Sequence, residues 1–316
     1  MSQASFKNHR MLSGKRLLPS VFVKIFTVIF TVIFTIAIAL LIRIPSEIRG
    51  CALGLFWEAS RIQVLLNTCA LPSLTSEHFF VKYNKGDLED ARIVLQTAER
   101  YYDSIASNYG FKSAKPLVVV VYSSRQELNS FFGWPASISA MGAYHAGIIR
   151  VLTPRAWILP GDEEQIKNVF MNSGPMAHEL THLVLDKVTE GNIPRWFTEG
   201  VAQNEEYKLT GFQFGGGDYS FDKKTMYDLG KMDKDFDNLP DQRLAYRQCF
   251  SAIQYLEKGY GPDSVHQILN VLAGGGSISK AMDKVLGVNL EEFQSDWESW
   301  VFKKGLFANN QELQAF

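Results

Sequence analysis

The segment Met176 to Val184 sets the terms for the rest of the fold. Met176, Ala177, Leu180, Leu183 and Val184 recur at helical spacing, so the helix they form must bury that face. The same segment carries His178, Glu179 and His182. Positions i and i+4 of a helix lie about 40° apart, so both histidines project from one face. Burying two imidazoles and a carboxylate without partners costs several kcal/mol. Whatever packs around this helix must therefore answer three polar groups at once.

The order His178-Glu179-Leu180-Thr181-His182 is HExxH, which offers two imidazoles to one cation. Zinc suits imidazole ligands, and at an open site it polarises a carbonyl and lowers the pKa of its water. Glu179 stands between the two histidines, placed to take that water's proton. A third protein ligand is required. The tandem-histidine continuation of metzincins needs Gly at 185 and His at 188, whereas this chain has Leu185 and Val188, so that class is excluded. The chain continues instead to Pro194-Arg195-Trp196-Phe197-Thr198-Glu199-Gly200-Val201-Ala202, in which Pro can open a helix with Glu199 near its first turn. Gly200 would permit close helix packing.

This last segment resembles the WxxEGxA stretch of gluzincins. The resemblance implies that Glu199 is the third zinc ligand, completing a His178, His182, Glu199 site. The spacer between His182 and Glu199 is 16 residues, shorter than in the best-known gluzincins. Glu190, Glu205 and Glu206 are the substitutes, and none lies in a comparable motif. The nearest match is the bacterial peptidase MA-like group, over roughly residues 77–302. The segments that carry it run in order: an opening strand and helix, Pro116 to Tyr122 (PLVVVVY), Gly142 to Tyr144, HELTH, PRWFTEG, Ala245-Tyr246 with Tyr255-Leu256 and Tyr260-Gly261, and a final Trp-bearing helix. By analogy with that clan, Tyr246 would donate to the oxyanion formed on a scissile carbonyl, with a packed core tyrosine as the alternative. Arg247 beside it would serve the oxyanion or be solvated. The clan also implies peptide addition to a sheet edge, placed here on Gly147 to Thr153 with the preceding Ala143 to Ala146. His145 reads as an ordinary strand residue rather than a pocket wall, and His78 and His266 as surface or satisfied core histidines.

At 46% apolar and 21% charged the chain has ordinary globular composition. Its net charge of −1 supplies no field for nucleic acid, which is set aside as a partner. The departure is N-terminal. Val21 to Ile42 is apolar or Thr except for Lys24, and Ile25 to Ile42 would cover roughly 27 Å as a helix, the thickness of a bilayer core. Basic residues precede the run, which predicts a cytoplasmic tail at 1–20, an uncleaved transmembrane helix at 21–43, a juxtamembrane segment at 44–75 and an exterior domain at 76–316. A cleaved signal would end at a small-x-small site, which Leu41 to Ile44 does not supply. Cys51 and Cys69 could pair in an oxidising exterior, leaving Cys249 as a small buried hydrophobe.

Within the exterior domain the pattern predicts strands at His78 to Tyr83, Pro116 to Tyr122 and Gly147 to Thr153, and helices at Leu88 to Tyr109 and Ser124 to Phe132. Helical periodicity then runs over Gln165 to Lys187, Asp241 to Tyr260, Pro262 to Leu272 and Leu290 to Phe302, while Gly211 to Gly217 reads as a loop. The expectation is an α+β gluzincin-like domain, mixed α/β over 76–160 and mostly helical with the active site over 161–316. Peptide-bond hydrolysis on a peptide or protein substrate with one Zn2+ per chain is the implied activity. A silent binding module of the same fold and a metal-dependent amidase on a non-protein substrate stay open beside it. Oligomeric state is not readable.

Overall fold

The computed structural model describes residues 46–159, 161–214, 221 and 225–305. The apolar run at 21–42 and the tail before it lie outside these residues, as does the end of the glycine-rich segment. Among the described residues no helix is long and apolar enough to cross a membrane.

The chain enters as helix α1 (Ser46–Asn67) and passes into a short strand β1 (Ser73–Thr75), where the sequence shows only a proline-bearing breaker. Strand β2 (Phe79–Lys82), helix α2 (Leu88–Asn108) and strand β3 (Leu117–Tyr122) make a β-α-β unit with β2 and β3 parallel. Helix α3 (Arg125–Phe132) leads to a hairpin of β4 (Gly142–His145) and β5 (Ile148–Leu152). The sheet order is β1-β2-β3-β5-β4, with the two outer pairs antiparallel and the inner pairs parallel. The hairpin turns on Ala146 and Gly147, both at positive φ (52° and 81°), the two-residue turn whose twist matches the strands.

The expected docking edge is corrected here. Strand β5 is internal, hydrogen-bonded to β3 and β4, so residues 148–152 have no free edge. Among the described residues β4 is the outer strand on that side.

The unbroken PLVVVVY run follows from burial of both sheet faces. Phe79, Val81, Val119, Val121, Ile149 and Val151 face a core shared with α2 and the HELTH helix, while Val118, Val120 and Ile148 face Val64 and Leu65 of α1. The structure also breaks the predicted Gln165 to Lys187 helix into α4 (Glu163–Ser173) and α5 (Met176–Val188). Pro175 is the cause: it lacks an N–H and disfavours a helical residue before it, and Gly174 sits extended at ψ 166°. The break makes HELTH the first turns of its own helix.

Helix α6 (Arg195–Thr210) comes next, then α7 (Leu229–Asp235), α8 (Gln242–Tyr260), α9 (Asp263–Ala273), α10 (Ile278–Leu286) and α11 (Leu290–Gly305). Helices α7 and α10 were not anticipated, although Ser277 and Gly287 cap α10 at its two ends. A second core gathers Trp196, Phe197, Val201, Cys249, Ile253, Phe293 and Trp297. Helix α5 belongs to both cores, through Leu180, Leu183 and Val184 on the sheet side and Leu185 on the helical side. The Cys51–Cys69 pairing does not form: both thiols are free, and about 24 Å of α1 runs from Cys51 to Asn67 before the chain reaches Cys69, against the roughly 7 Å limit for a disulfide. Cys249 is buried as expected.

Candidate active site

Helix α5 starts at Pro175 and places Glu179 in its first turn, where unpaired backbone N–H groups favour a carboxylate. His178 and His182 fall one above the other on the face turned toward α6. The two Nε2 atoms are 3.0 Å apart. Glu199, from the second turn of α6, puts Oε2 at 3.4 Å from each of them. Tetrahedral zinc with ligands at about 2.1 Å separates its ligand atoms by about 3.4 Å, so the triangle has the size of one face of that coordination. Glu199 is only 2% exposed, and its Oε2 makes no hydrogen bond. A buried carboxylate oxygen aimed at two imidazole nitrogens and satisfied by neither is what a cation would complete. The donor set His, His, Glu fits zinc.

A second ring of groups holds these three. Arg195, one turn before Glu199, binds its Oε1 at 3.0 Å and leaves Oε2 turned inward. Thr198 Oγ1 meets His182 Nδ1 at 2.8 Å. Glu206 Oε2 lies 3.4 Å from His178 Nδ1, so this substitute ligand is a support of the histidine instead. Such outer partners fix the imidazole orientation. Sequence reasoning missed Arg195 and Thr198; the i, i+4 spacing of Arg195 and Glu199 was the available signal. Glu205 turns away, toward Asn108 and Lys208, and Glu190 occupies the turn after α5 at positive φ.

Burial shapes the titration of the cluster. It lifts Glu179 to about 7 and pushes His182 down to about 4. It also works to raise Glu199, but Arg195 and His182 hold that carboxyl well below its usual range. Burial works against protonation of His178, yet Glu199 and Glu206 raise its pKa well above the ordinary value.

Two glycines let the elements come this close. A Cβ on Gly142 of β4 would stand 2.8 Å from Pro175 Cβ and 3.2 Å from Glu179 Cγ. On Gly200 it would collide with the carbonyl oxygen of Cys249 and stand 2.6 Å from Ile253 Cγ1. The anticipated close packing at Gly200 is thus present, between α6 and α8. Gln203 bridges the same helices, donating to the carbonyls of Glu199 (3.2 Å) and Tyr246 (2.9 Å).

That contact brings Tyr246 beside the cluster. The Glu199 carboxylate, then burial, raise its pKa well above the tyrosine range, so the hydroxyl stays a donor. Its ring also packs on Phe214 and Phe236. Arg247 instead lies over the Phe221 ring at 5.1 Å. His145 is exposed on β4, edge-on to Phe132. His78 pairs with Glu99 at 2.7 Å and stacks on Tyr102, and His266 lies against Tyr109.

The family model of the peptidase MA superfamily matches residues 97–303, about two thirds of the chain, and spans the HELTH helix, α6 and α8. No curated protein matches the chain significantly.

Proposed function

Because the chain belongs to the peptidase MA superfamily, we propose that it is a zinc-dependent peptidase, tethered to a membrane by its N-terminal apolar run with the domain on the exterior side. The observation that carries the catalytic part is the unsatisfied Glu199 Oε2 set 3.4 Å from both HELTH imidazoles. His178, His182 and Glu199 would hold the metal. When bound, zinc would polarise the scissile carbonyl and acidify a water.

The remaining work falls to the chain's own residues. Glu179, at about 7, is poised to accept a proton from the attacking water and return it to the leaving amine. Tyr246 keeps its hydroxyl proton beside Glu199 and donates to the oxyanion. Strand β4, the outer strand next to Glu179, whose carboxylate takes the Tyr144 backbone N–H, offers its outer edge to an extended peptide, which is how the substrate would be laid across the site. The membrane part of the reading rests on the sequence of residues 21–42.

The test is elemental analysis of the purified chain beside His178→Ala and Glu199→Ala. One zinc per chain in the parent and none in either variant is expected. A folded parent chain that takes up no zinc when supplied with it sinks the peptidase reading.

A further inference from the structure

Between residues 50 and 67, helix α1 directs its two charged side chains to partners on the protein and a stripe of apolar side chains away from it. Between residues 50 and 67 the charged side chains are Glu58 and Arg61. Glu58 pairs with Lys115 at 2.7 Å, and Arg61 donates to the carbonyl oxygen of Pro116 at 2.6 Å. On the same side Trp57 covers Lys187, whose Nζ is 3.5 Å from the ring centroid, while Val64 and Leu65 pack under the sheet. The domain therefore already occupies the inner face. The other face carries Ala52, Leu55, Phe56, Ala59, Ile62 and Leu66, recurring at three or four residues. Leu55, Phe56, Ile62 and Leu66 are 70, 51, 50 and 67% exposed. A helix on a water-facing surface does the reverse, burying its apolar stripe and exposing its charges.

We infer that the outer face of α1 lies against the lipid surface as an interfacial helix. This rests on the reading of residues 21–42 as a membrane anchor. Arg43, Ile44 and Pro45 alone separate that run from Ser46, a reach of at most about 14 Å, so an anchor in the bilayer holds the start of α1 at its surface. The helix is 22 residues long, about 33 Å, and its outer face between residues 50 and 67 bears no charge that lipid would reject. Helices of this kind sink their apolar side about 5–10 Å into the headgroup and acyl boundary. Because the inner face of α1 touches Lys187 of α5 and Gly147 of the β4–β5 turn, the same contact fixes how the domain stands on the membrane.

The test uses the full chain in phosphatidylethanolamine and phosphatidylglycerol vesicles, with Cys51→Ser and Cys69→Ser and the buried Cys249 kept. A nitroxide is attached singly at Leu55→Cys, Ile62→Cys or Leu66→Cys, at the exposed Lys112→Cys, and at Thr31→Cys inside the apolar run. Paramagnetic resonance then compares collision with oxygen, which concentrates in lipid, and with a water-soluble nickel chelate. The expected result is an oxygen-to-nickel ratio several-fold higher at 55, 62 and 66 than at 112, alongside a lipid-exposed label at 31. Labels at 55, 62 and 66 open to nickel while 31 stays in lipid overturn this inference and leave the anchor standing. Labels shielded from both reagents also overturn it, with spin broadening assigning the face to a second copy and no broadening to contact within the chain itself. A label at 31 that sits in water overturns the anchor and the inference together.

Discussion

Two buried carboxylates in this chain meet opposite fates. Asp90, in the first turn of α2, is 3% exposed and accepts from the Thr153 hydroxyl, the Arg155 backbone and the Arg155 guanidinium, so both its oxygens are engaged. Glu199 is as deeply buried, yet only one of its oxygens, the one bound by Arg195, has a hydrogen-bond partner. A protein interior normally satisfies such groups, and leaving one open costs about 1–3 kcal/mol. The first carboxylate ties a loop to a helix and has nothing left to bind with. The second is held by one oxygen so that the other can be offered, which separates a structural carboxylate from a ligand where burial alone does not.

Substitution puts that contrast at risk. The largest effect is expected at Glu179→Gln, which keeps size and burial but removes the base: turnover of a peptide substrate should fall by about 10²–10⁴ while zinc content stays at one per chain. Loss of zinc in this variant would make Glu179 a part of the metal site instead. Asp90→Ala should act on stability alone, lowering it by about 3 kcal/mol in urea unfolding with zinc stoichiometry unchanged, because it leaves Thr153 and Arg155 without their acceptor. If it releases zinc, the two carboxylates are not separable. Arg195→Met should weaken zinc about tenfold or more in a competition titration, since Glu199 Oε1 loses its tether and the carboxylate can turn away. The smallest effect is expected at Thr198→Val, a loss near the lower end of about 10–100-fold in zinc affinity, with catalysis at saturating zinc retained. Unchanged affinity there would show that packing alone orients His182.

Much of the site was legible because its key spacings are local. His178, Glu179 and His182 lie on one helix, so period and motif place them without knowledge of the fold, while Glu199 came from the resemblance of its segment to the WxxEGxA stretch of gluzincins. The supports were harder to read. Glu206 looks from the sequence like a spare ligand, and only the packing of α6 across α5 turns it to His178 Nδ1. Tyr246 lies 47 positions beyond Glu199 and approaches it because Gly200 allows α8 to touch α6. The break at Pro175 was missed for the opposite reason: apolar periodicity continued through it and outweighed a single residue.

Pattern along the chain was enough to set the α+β class, the HELTH helix and the apolar N-terminal run, because periodicity, motif spacing and hydropathy act between residues close in sequence. Packing in three dimensions chose which strand has a free edge, which acid supports a histidine, and that α1 shows its apolar face outward. Those outcomes depend on sheet order and helix contacts between residues distant in the chain, and no local pattern encodes which face or edge is the one left uncovered.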